Sequence, residues 1–399
     1  HIQLNLIFKK RVCIYVSDAT GKGDAYMSEL MRIKVYGNTQ DGTSKHVQII
    51  LKNIPSNLCR RLSFRSDEFF KNEINFYEIV LPALLKFQAS KNMKDPFVNH
   101  PKLFLSHCDG VNDIICLGDA SLDNFGSAIR QEGIDYAHFK VSMELLAKYH
   151  AMSIAMRDQQ PEEYGRIRRA IFETYYDERL RDWYGRYWDR LCRIAIDAIE
   201  KEYPNTVYAE KIKEFAVPEQ YSRCIQACKE TFETGVISHG DCWMANFLYK
   251  YTESKTPSEA FLLDFQLARC GSPVLDVSCF IYSCTTQEMR LKHYDELLKY
   301  YHDVMSTQIR DMGSDPDKVY SWDMFMDEVK KYSHVGLAFS FEATPVSVLE
   351  SEEAMETESE VRSIIGYSIQ FSRQHKCYCY AASLFRTNLL LRERNVKCR

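Results

Sequence analysis

Hydrophobic and polar residues alternate through the first third of the chain in the manner of β-strands. Runs rich in β-branched and aromatic residues are bounded by Gly, Asn, Asp or Ser, which is typical of strands joined by hairpins. Five such runs predict strands: residues 11–16, 26–36, 46–52, 102–107 and 113–117. The glycine-rich segment 20–24 lies between the first two runs and predicts a tight hairpin tip.

A helix is predicted from about Ser66 or Asp67 to Val80, because acidic residues occupy its first turn and Pro82 follows its end. Glu73 differs by three, four or seven positions from the apolar residues of this segment and therefore shares their face. These residues are Phe69, Phe76, Tyr77 and Val80.

A carboxylate within an apolar stripe needs a partner, since an unpaired buried charge costs several kcal/mol. Lys52 ends an apolar strand shortly before the helix and is the natural partner of Glu73. The alternative is a partly exposed Glu73 and a Lys52 side chain that extends along the surface to water.

The composition changes to Gly, Asp, Ser and Asn around residues 118–126. The pattern beyond is mostly helical, interrupted by residues 247–251 and 260–265, which predict a hairpin. We therefore predict an α+β fold with two lobes. Residues 1–117 form a small antiparallel sheet lobe with one main helix, 118–126 a hinge, and 127–399 a larger, mainly helical lobe.

Composition excludes several functional classes. With 45% hydrophobic and 27% charged residues, the 399-residue chain has enough apolar material for two lobes. A net charge of −4 without a long basic block argues against nucleic acid as a partner. The sequence has no run of about 18 apolar residues, so no membrane span is predicted.

The 14 scattered cysteines form no CxxC pair, which favours reduced thiols and a cytoplasmic protein. No obligate protein partner is predicted, and a preceding targeting segment stays open because the sequence begins at His1.

The pattern His239-x-Asp241-x-x-x-x-Asn246, followed by Asp264-Phe265, carries the most specific chemistry. It places an Asp, an Asn and a second Asp where a phosphoryl-transfer site of the kinase type needs them. Asp241 lies on a predicted loop and can reach a substrate hydroxyl. Asn246 and Asp264 supply a neutral and a charged oxygen, the hard ligands that Mg²⁺ prefers. Each residue alone would also fit an ordinary turn.

The hairpin tip with Gly21 and Gly23 is a weaker signal. It is not a Walker A loop, because Val16 stands where the first Gly belongs and Gly23 where Ser or Thr should follow Lys22. Its backbone N–H groups could bind phosphates, since small residues allow close approach. A plain hairpin turn is the alternative, and Ser28 either adds a hydroxyl donor or faces solvent.

The run His-Gly-Asp-Cys-Trp-Met-Ala-Asn at 239–246, with Asp-Phe-Gln at 264–266, resembles the choline/ethanolamine-kinase-like and aminoglycoside-phosphotransferase-like branch of the protein-kinase fold. The form HGDxWxxN with DFQ most resembles the insect ecdysteroid kinase-like family. Further family-like positions occur in the same order along the chain: 23–28, Lys52, 70–77, Pro82 and 146–151. The resemblance implies an ATP- and Mg²⁺-dependent kinase.

The same resemblance implies a role for each matching residue. Asp241 would be the catalytic base, and Asn246 and Asp264 would be catalytic residues that bind the metal ion. His239 would brace the catalytic loop, and Asp276 would anchor that loop from beneath. The nucleotide would be bound by Lys52 with its partner Glu73, and by Gly21, Gly23, Ser28, Leu117 and Asp119. Gly118 departs from the family, which commonly has an acidic residue at this connector.

Features that a protein kinase needs are absent. Trp243 stands where a protein kinase has Lys, and no long segment ending in Ala-Pro-Glu follows Asp264, since Asp276 arrives too soon. The acceptor is therefore expected to be a small hydroxylated molecule. The resemblance favours an ecdysteroid or a similar lipophilic alcohol, phosphorylated in hormone inactivation or detoxification.

Two other functions stay open. Segment 172–188, read as helical, carries six aromatic residues that could line a sterol pocket, form a cage for a quaternary ammonium group, or simply belong to the core. They are Tyr175, Tyr176, Trp183, Tyr184, Tyr187 and Trp188. A cage would favour a choline/ethanolamine-type kinase. A pseudokinase that only binds a small molecule is the alternative from another class, although Lys52, Asp241, Asn246 and Asp264 are all present.

Overall fold

The computed structural model describes residues 9–19, 28–39, 42–58, 61–62, 65–129 and 133–348. It confirms the predicted α+β class, with an antiparallel sheet near the N-terminus and a mainly helical remainder. The hairpin tip with Gly21 and Gly23 lies outside the described residues. The division into lobes at 118–126 stays a prediction.

The N-terminal sheet has five antiparallel strands in the order β1-β2-β3-β5-β4. Their bounds are β1 Lys9–Asp18, β2 Glu29–Asn38, β3 Ser44–Asn53, β4 Leu103–His107 and β5 Ile114–Gly118. All five predicted strands are confirmed within the described residues; residues 26 and 27 of the second lie outside them. Strand β3 lies at the centre of the sheet, which explains why both Ile49 and Lys52 are buried.

The main helix of this region does not end at Val80, so that prediction was wrong. Helix α1, Ser66–Asn75, continues through a π-helical turn, Phe76–Val80, into α2, Leu81–Ala89. The N–H of Leu81 donates to the carbonyl oxygen of Phe76, five residues earlier. Pro82 lacks an N–H, and its ring would crowd a preceding carbonyl in a regular α-helix, so the wider turn lets the helix continue.

The rest of the described chain is mainly helical. Its helices are α3 Tyr136–Gln159, α4 Pro161–Arg168, α5 Arg181–Glu202, α6 Val207–Phe215, α7 Glu219–Thr231, α8 Pro273–Cys284, α9 Gln287–Asp311, α10 Pro316–Val319 and α11 Trp322–Val348. Helix α3 is buried along most of its length and packs against α9, while α11 packs along α8. These helices form the support for the loops described below.

The expected helix across residues 172–188 was wrong in its first half. Residues 169–177 are irregular, a 3₁₀ turn covers Glu178–Leu180, and α5 begins only at Arg181. The Glu173 carboxylate accepts the N–H groups of Tyr175 and Tyr176, each at 2.8 Å. Such side-chain acceptors offer the backbone an alternative to helical hydrogen bonds.

Two small sheets organise the middle of the chain. Strands β6 Gly126–Ser127, β8 Phe247–Tyr251 and β9 Pro257–Leu262 form one. It contains the predicted hairpin, whose second strand begins and ends three residues earlier than the predicted 260–265. Strand β7, Val236–Ser238, pairs antiparallel with β10, Arg269–Gly271, in the other. The β7–β10 pair brings the segment after Ser238 beside the segment that leads into Arg269.

A continuous apolar core joins the helix of the N-terminal region to the helical remainder. The Phe265 ring stacks on Phe76 with 4.0 Å between ring centroids, and Tyr149 of α3 meets Phe265 edge-on. The segment around Phe265 is therefore held between the π-helical turn and α3.

No described helix is long and apolar enough to cross a membrane. The cysteines in the described part of the chain are free thiols, most of them buried.

Gly336 of α11 permits the close approach of α11 to α8, because a Cβ atom there would overlap the backbone of Ser278 and Cys279. Gly336→Ala should lower the free energy of unfolding by about 1–3 kcal/mol, the usual cost of overpacking. Gly185→Ala is the matched control, since a Cβ at this α5 position meets nothing within 4 Å. It should raise stability by about 0.5–1 kcal/mol. Urea unfolding of both variants tests the expectation, and equal stabilities would contradict it.

Candidate functional site

Asp276, in the first turn of α8, holds the loop that follows β7. Its carboxylate accepts the backbone N–H of His239 at 2.6 Å and that of Gly240 at 2.9 Å. Nε2 of the buried His150 lies 3.0 Å from the same carboxylate. Burial would raise the pKa of Asp276, but the hydrogen bond and charge of His150 and the backbone donors hold it below its usual value. The buried carboxylate thus remains ionised and anchors the loop.

Gly240 allows this loop to approach the segment after Asp264. Its φ of +83° lies in the left-handed region, and a Cβ atom would overlap the carbonyl oxygen of Leu267. Both the backbone conformation and the close approach therefore require glycine at this position.

His239 connects the same two segments through its ring. Nε2 lies 2.6 Å from the carbonyl oxygen of Leu263, so it must donate, and Nδ1 then accepts the N–H of Asp241 at 3.2 Å. Burial lowers the pKa of His239, which agrees with this neutral tautomer. His239 therefore holds together the two segments that carry Asp241 and Asp264.

Asp241 and Asn246 are joined by hydrogen bonds within the same loop. The Nδ2 group of Asn246 donates to the backbone oxygen and to Oδ2 of Asp241, both at 2.9 Å. Burial and the charge of Asp264 raise the pKa of Asp241 to about 7, although the Asn246 hydrogen bond opposes the shift. The half-buried carboxyl of Asp241 therefore has a proton affinity matched to neutral solution.

The predicted ion pair between Lys52 and Glu73 is present. Nζ of Lys52 lies 2.6 Å from Glu73 Oε2 and 2.8 Å from Asp264 Oδ1. Burial alone would lower the pKa of Lys52, but the two carboxylates, with Asp264 the stronger, hold it above its usual value. Burial raises the pKa of Glu73, and Lys52 opposes that shift.

Asp264 occupies a strained backbone conformation, with φ 62° and ψ 74°. Non-glycine residues seldom adopt positive φ, and such strain is often found at functional sites. The turn directs Asp264 Oδ1 to Lys52 at 2.8 Å and places Phe265 in the core.

Two side-chain oxygens of this site fit a hard metal ion. Asn246 uses its amide NH₂ group on Asp241, which leaves Oδ1 as a ligand, and Asp264 can offer Oδ2 because Oδ1 contacts Lys52. These two hard oxygens suit Mg²⁺, which usually keeps water and phosphate oxygens in its other positions. Within the described ranges, no group of three or more His, Cys, Asp or Glu side chains could hold a metal ion.

Three further residues were predicted to contact the nucleotide: Asp119 and Leu117 at the connector, and Ser28 before β2. Oδ2 of Asp119 accepts from Arg32 Nε at 2.6 Å and from Gln48 Nε2 at 2.7 Å, so its side chain ties the connector to the sheet. Leu117 pairs with Ile50 in the sheet. Ser28 is buried just before β2. A nucleotide contact by any of these residues stays a prediction.

Asn72 is a site residue that the sequence did not reveal. Its Nδ2 group donates to the carbonyl oxygens of Gln266 at 3.0 Å and Ala268 at 2.8 Å, and its Oδ1 accepts the N–H of Phe172 at 3.0 Å. The side chain is fully buried next to Glu73. It therefore holds α1 at the distance at which Glu73 meets Lys52. The available signal was a polar residue beside the apolar face of α1.

Arg269 is a second residue that the sequence did not reveal. Its buried guanidinium donates to the carbonyl oxygens of Gly240 and Leu267, both at 3.3 Å, and lies 3.5 Å from Glu173 Oε1. It also stacks on the Tyr176 ring at 5.2 Å. One cation thus connects the loop of Asp241, the segment after Asp264 and the irregular segment 169–177. Its only sequence signal is a charge within an apolar run.

The aromatic residues of segment 172–188 divide into two groups. Tyr175, Tyr176, Tyr184 and Trp188 are buried, which is the core alternative. The cavity among them has a volume of about 10 Å³, room for one water molecule at most. Trp183 and Tyr187 are only half-buried, and their rings lie 5.5 Å apart between centroids at a tilt of 38°.

Comparisons with known proteins give a family match. A family model described as the ecdysteroid kinase-like family matches residues 22–314. No protein of curated function matches significantly.

Among solved structures, the chain is similar to a microcompartment-associated aminopropanol kinase, with 13% identity, 98% of this chain and 95% of that chain covered, and a TM-score of 0.45. It is also similar to the GDP complex of wild-type aminoglycoside 2′-phosphotransferase-IIIa, with 12% sequence identity and a TM-score of 0.40. This match covers 94% of this chain and 93% of that chain.

Asp276→Asn should destabilise the fold by about 1–3 kcal/mol at neutral pH, because its amide cannot accept from every donor around it. The native pKa of Asp276 lies below its usual value. Its stabilisation is therefore present above the unfolded pKa of about 3.9 and is lost as pH falls toward the native pKa.

The measurement is urea unfolding of parent and variant from pH 7 down to pH 3, with the exposed Asp327→Asn as control. The deficit of Asp276→Asn should shrink in acid, while the control stays within about 0.5 kcal/mol of the parent. A deficit independent of pH would contradict the ionised anchor.

Proposed function

The chain belongs to the ecdysteroid kinase-like family, and we propose that it transfers the γ-phosphoryl group of ATP to a hydroxyl group of a small lipophilic molecule, an ecdysteroid or a similar alcohol. The family resemblance inferred from the motif at 239–246 is thereby confirmed. Its members are phosphotransferases that act on hydroxyl groups of small molecules. The observation that carries the proposal is the meeting of Lys52, Asp241, Asn246 and Asp264 in one site.

Lys52 would bind the α- and β-phosphates of ATP. Its ammonium group is held in position by Glu73 and Asp264, and such preorganisation favours binding of a phosphate. Asn246 and Asp264 would hold Mg²⁺, which when bound neutralises charge on the phosphate oxygens.

Asp241 would orient the acceptor hydroxyl and accept its proton. A pKa of about 7 is suited to a base that works near neutral pH. The hydrogen bonds from Asn246 fix the carboxylate relative to Asn246, whose backbone oxygen accepts the N–H of Leu263, the residue before Asp264. Positioning and charge neutralisation would supply most of the rate enhancement.

The segment after Asp264 supports a small acceptor rather than a polypeptide. Residues 265–272 form a 3₁₀ turn and strand β10, all buried, and α8 begins at Pro273. A protein kinase instead has a long activation segment here, on which its polypeptide substrate docks. The half-buried rings of Trp183, Tyr187 and Trp243 offer apolar surface for a lipophilic acceptor.

Asp241→Asn should reduce phosphoryl transfer about 10²- to 10⁴-fold, because the amide cannot accept the hydroxyl proton. ATP consumption with a panel of ecdysteroids, other sterols and choline measures this, with Asp327→Asn as the surface control. Equal activity of Asp241→Asn and the parent would refute its role as base. Transfer to choline alone would favour a choline-type kinase. Failure of calorimetry to detect Mg²⁺–ATP binding would favour a pseudokinase.

Lys52→Met should lower transfer about 10²- to 10³-fold, the usual loss when a charge-stabilising donor is removed. Lys45→Met is the matched control, since Lys45 lies on the same strand but is exposed. The control should retain the parent's activity. Melting curves of both variants separate a catalytic loss from unfolding, and equal transfer by both would contradict the role of Lys52.

A further inference from the structure

Polar side chains form a stripe along one side of α1. Residues that recur three or four positions apart share a face of a helix. The members of the stripe have this spacing: Arg65, directly before the helix, and Glu68, Asn72 and Asn75 within it. Each of them contacts the chain between residues 170 and 184. The stripe therefore faces a part of the chain that is about 100 residues away in the sequence.

The segment of residues 170–179 follows this stripe along the length of α1. Three contacts join the two elements: Asn75 Nδ2 to the carbonyl oxygen of Ala170 at 2.8 Å, Asn72 Oδ1 to the N–H of Phe172 at 3.0 Å, and the Glu68 carboxylate to the Arg179 guanidinium at 2.6 and 3.0 Å. As the segment proceeds, its partners move from the end of α1 toward its start. The position of α1 thus depends on segment 170–179.

Arg65 makes the contacts that lie before the first turn of α1. Its Nη2 donates to the carbonyl oxygen of Thr174 at 2.6 Å and to the hydroxyl of Tyr184 at 3.0 Å. The guanidinium also lies over the rings of Phe69 and Tyr184, at 5.5 and 5.1 Å from their centroids. One side chain therefore connects α1, segment 170–179 and α5.

Arg65 is an unfavourable residue for the start of a helix. Its φ of 51° and ψ of 43° lie in the left-handed region that non-glycine residues seldom adopt, and its side chain does not cap the helix. A cation at a helix N-terminus also opposes the helix dipole. Departures from local rules are expected where a site is strained or functional. The tertiary contacts of Arg65 are thus the reason to look for a role at the site.

Segment 170–179 also contacts the loop after β7. Glu173 Oε1 lies 3.5 Å from Arg269 Nη1, and Arg269 donates to the carbonyl oxygen of Gly240. The segment therefore connects α1 with the loop that carries Asp241.

We propose that Arg65 is a positioning residue for phosphoryl transfer, which holds α1 where Glu73 keeps Lys52 in place. The inference rests on the proposed function, in which Lys52 binds the phosphates of ATP. Without the Arg65 side chain, the start of α1 loses its connections to segment 170–179 and α5. Lys52 then keeps Asp264, but Glu73 is less well placed to hold its ammonium group.

Arg65→Met should lower kcat/KM for Mg²⁺–ATP about 10- to 100-fold, because a misplacement of about 1 Å can cost about 10²-fold. The Kd of Mg²⁺–ATP, measured by calorimetry, should rise about 2- to 30-fold, the usual range for an effect transmitted through packed elements. The acceptor is the one that the parent prefers among ecdysteroids, other sterols and choline. Arg166→Met is the matched control, since Arg166 is exposed and pairs with Glu163 of its own helix. It should retain the parent's values.

A double-mutant cycle with Lys52→Met shows whether Arg65 acts through Lys52. If it does, adding Arg65→Met to Lys52→Met should change kcat/KM and the Kd of Mg²⁺–ATP by no more than about twofold. A merely structural contribution would reduce activity by the same factor in both backgrounds. Losses that multiply in the double variant would therefore overturn the proposal.

Arg65→Lys carries the same test if Arg65→Met does not fold, and melting curves decide this. A lysine can donate to the Thr174 carbonyl oxygen, but it lacks the planar group that stacks and donates at the same time. Its loss should be smaller than that of Arg65→Met and should also vanish with Lys52→Met.

Unchanged ATP affinity in every folded Arg65 variant contradicts the positioning role, and so does a loss confined to the KM of the acceptor. In both cases phosphoryl transfer by the parent still stands, so only this inference fails. If the parent itself binds no Mg²⁺–ATP, the proposed function fails and this inference falls with it.

Discussion

One buried ammonium group, that of Lys52, connects the parts of the molecule that the chemistry requires. It lies on the central strand of the N-terminal sheet and contacts Glu73 of α1 and Asp264 of the segment after β9. These residues come from three parts of the sequence, so the contact exists only when sheet, helix and Asp264 turn are correctly placed. A buried cation must keep its carboxylates, because losing one partner leaves a charge uncompensated. The arrangement therefore favours a single geometry of the site.

Around this centre, buried polar side chains hold backbone groups as well as one another. Asp276 accepts the N–H groups of His239 and Gly240, while Asn72 and Arg269 donate to carbonyl oxygens of the Asp264 segment and of Gly240. Irregular loops leave backbone groups unpaired, and burial makes such groups costly unless they are satisfied. The network thus allows two functional loops to lie in the interior at defined positions. Rigid loops of this kind support electrostatic preorganisation.

Local patterns predicted the strands and the Lys52–Glu73 pair because alternation and helical spacing report directly which face is buried. They failed where nonlocal or side-chain interactions decided the backbone. Pro82 did not end the helix, since the π-helical turn at Phe76–Val80 accommodates it. Segment 169–177 is not helical, because the Glu173 side chain accepts the N–H groups of the next turn. Propensity alone does not describe either competition.

The sequence by itself predicted a site of the phosphoryl-transfer type, because His239, Asp241 and Asn246 lie within eight positions and Asp264 follows a short hairpin. Spacing along the chain can be read from the sequence without knowledge of the fold. Only the tertiary structure decided the contacts of Asn72 and Arg269. Asn72 contacts residues that lie 100 to 196 positions away in the chain, and Arg269 pairs with the distant Glu173. Burial and partners of a polar side chain depend on that packing, and no local periodicity records them.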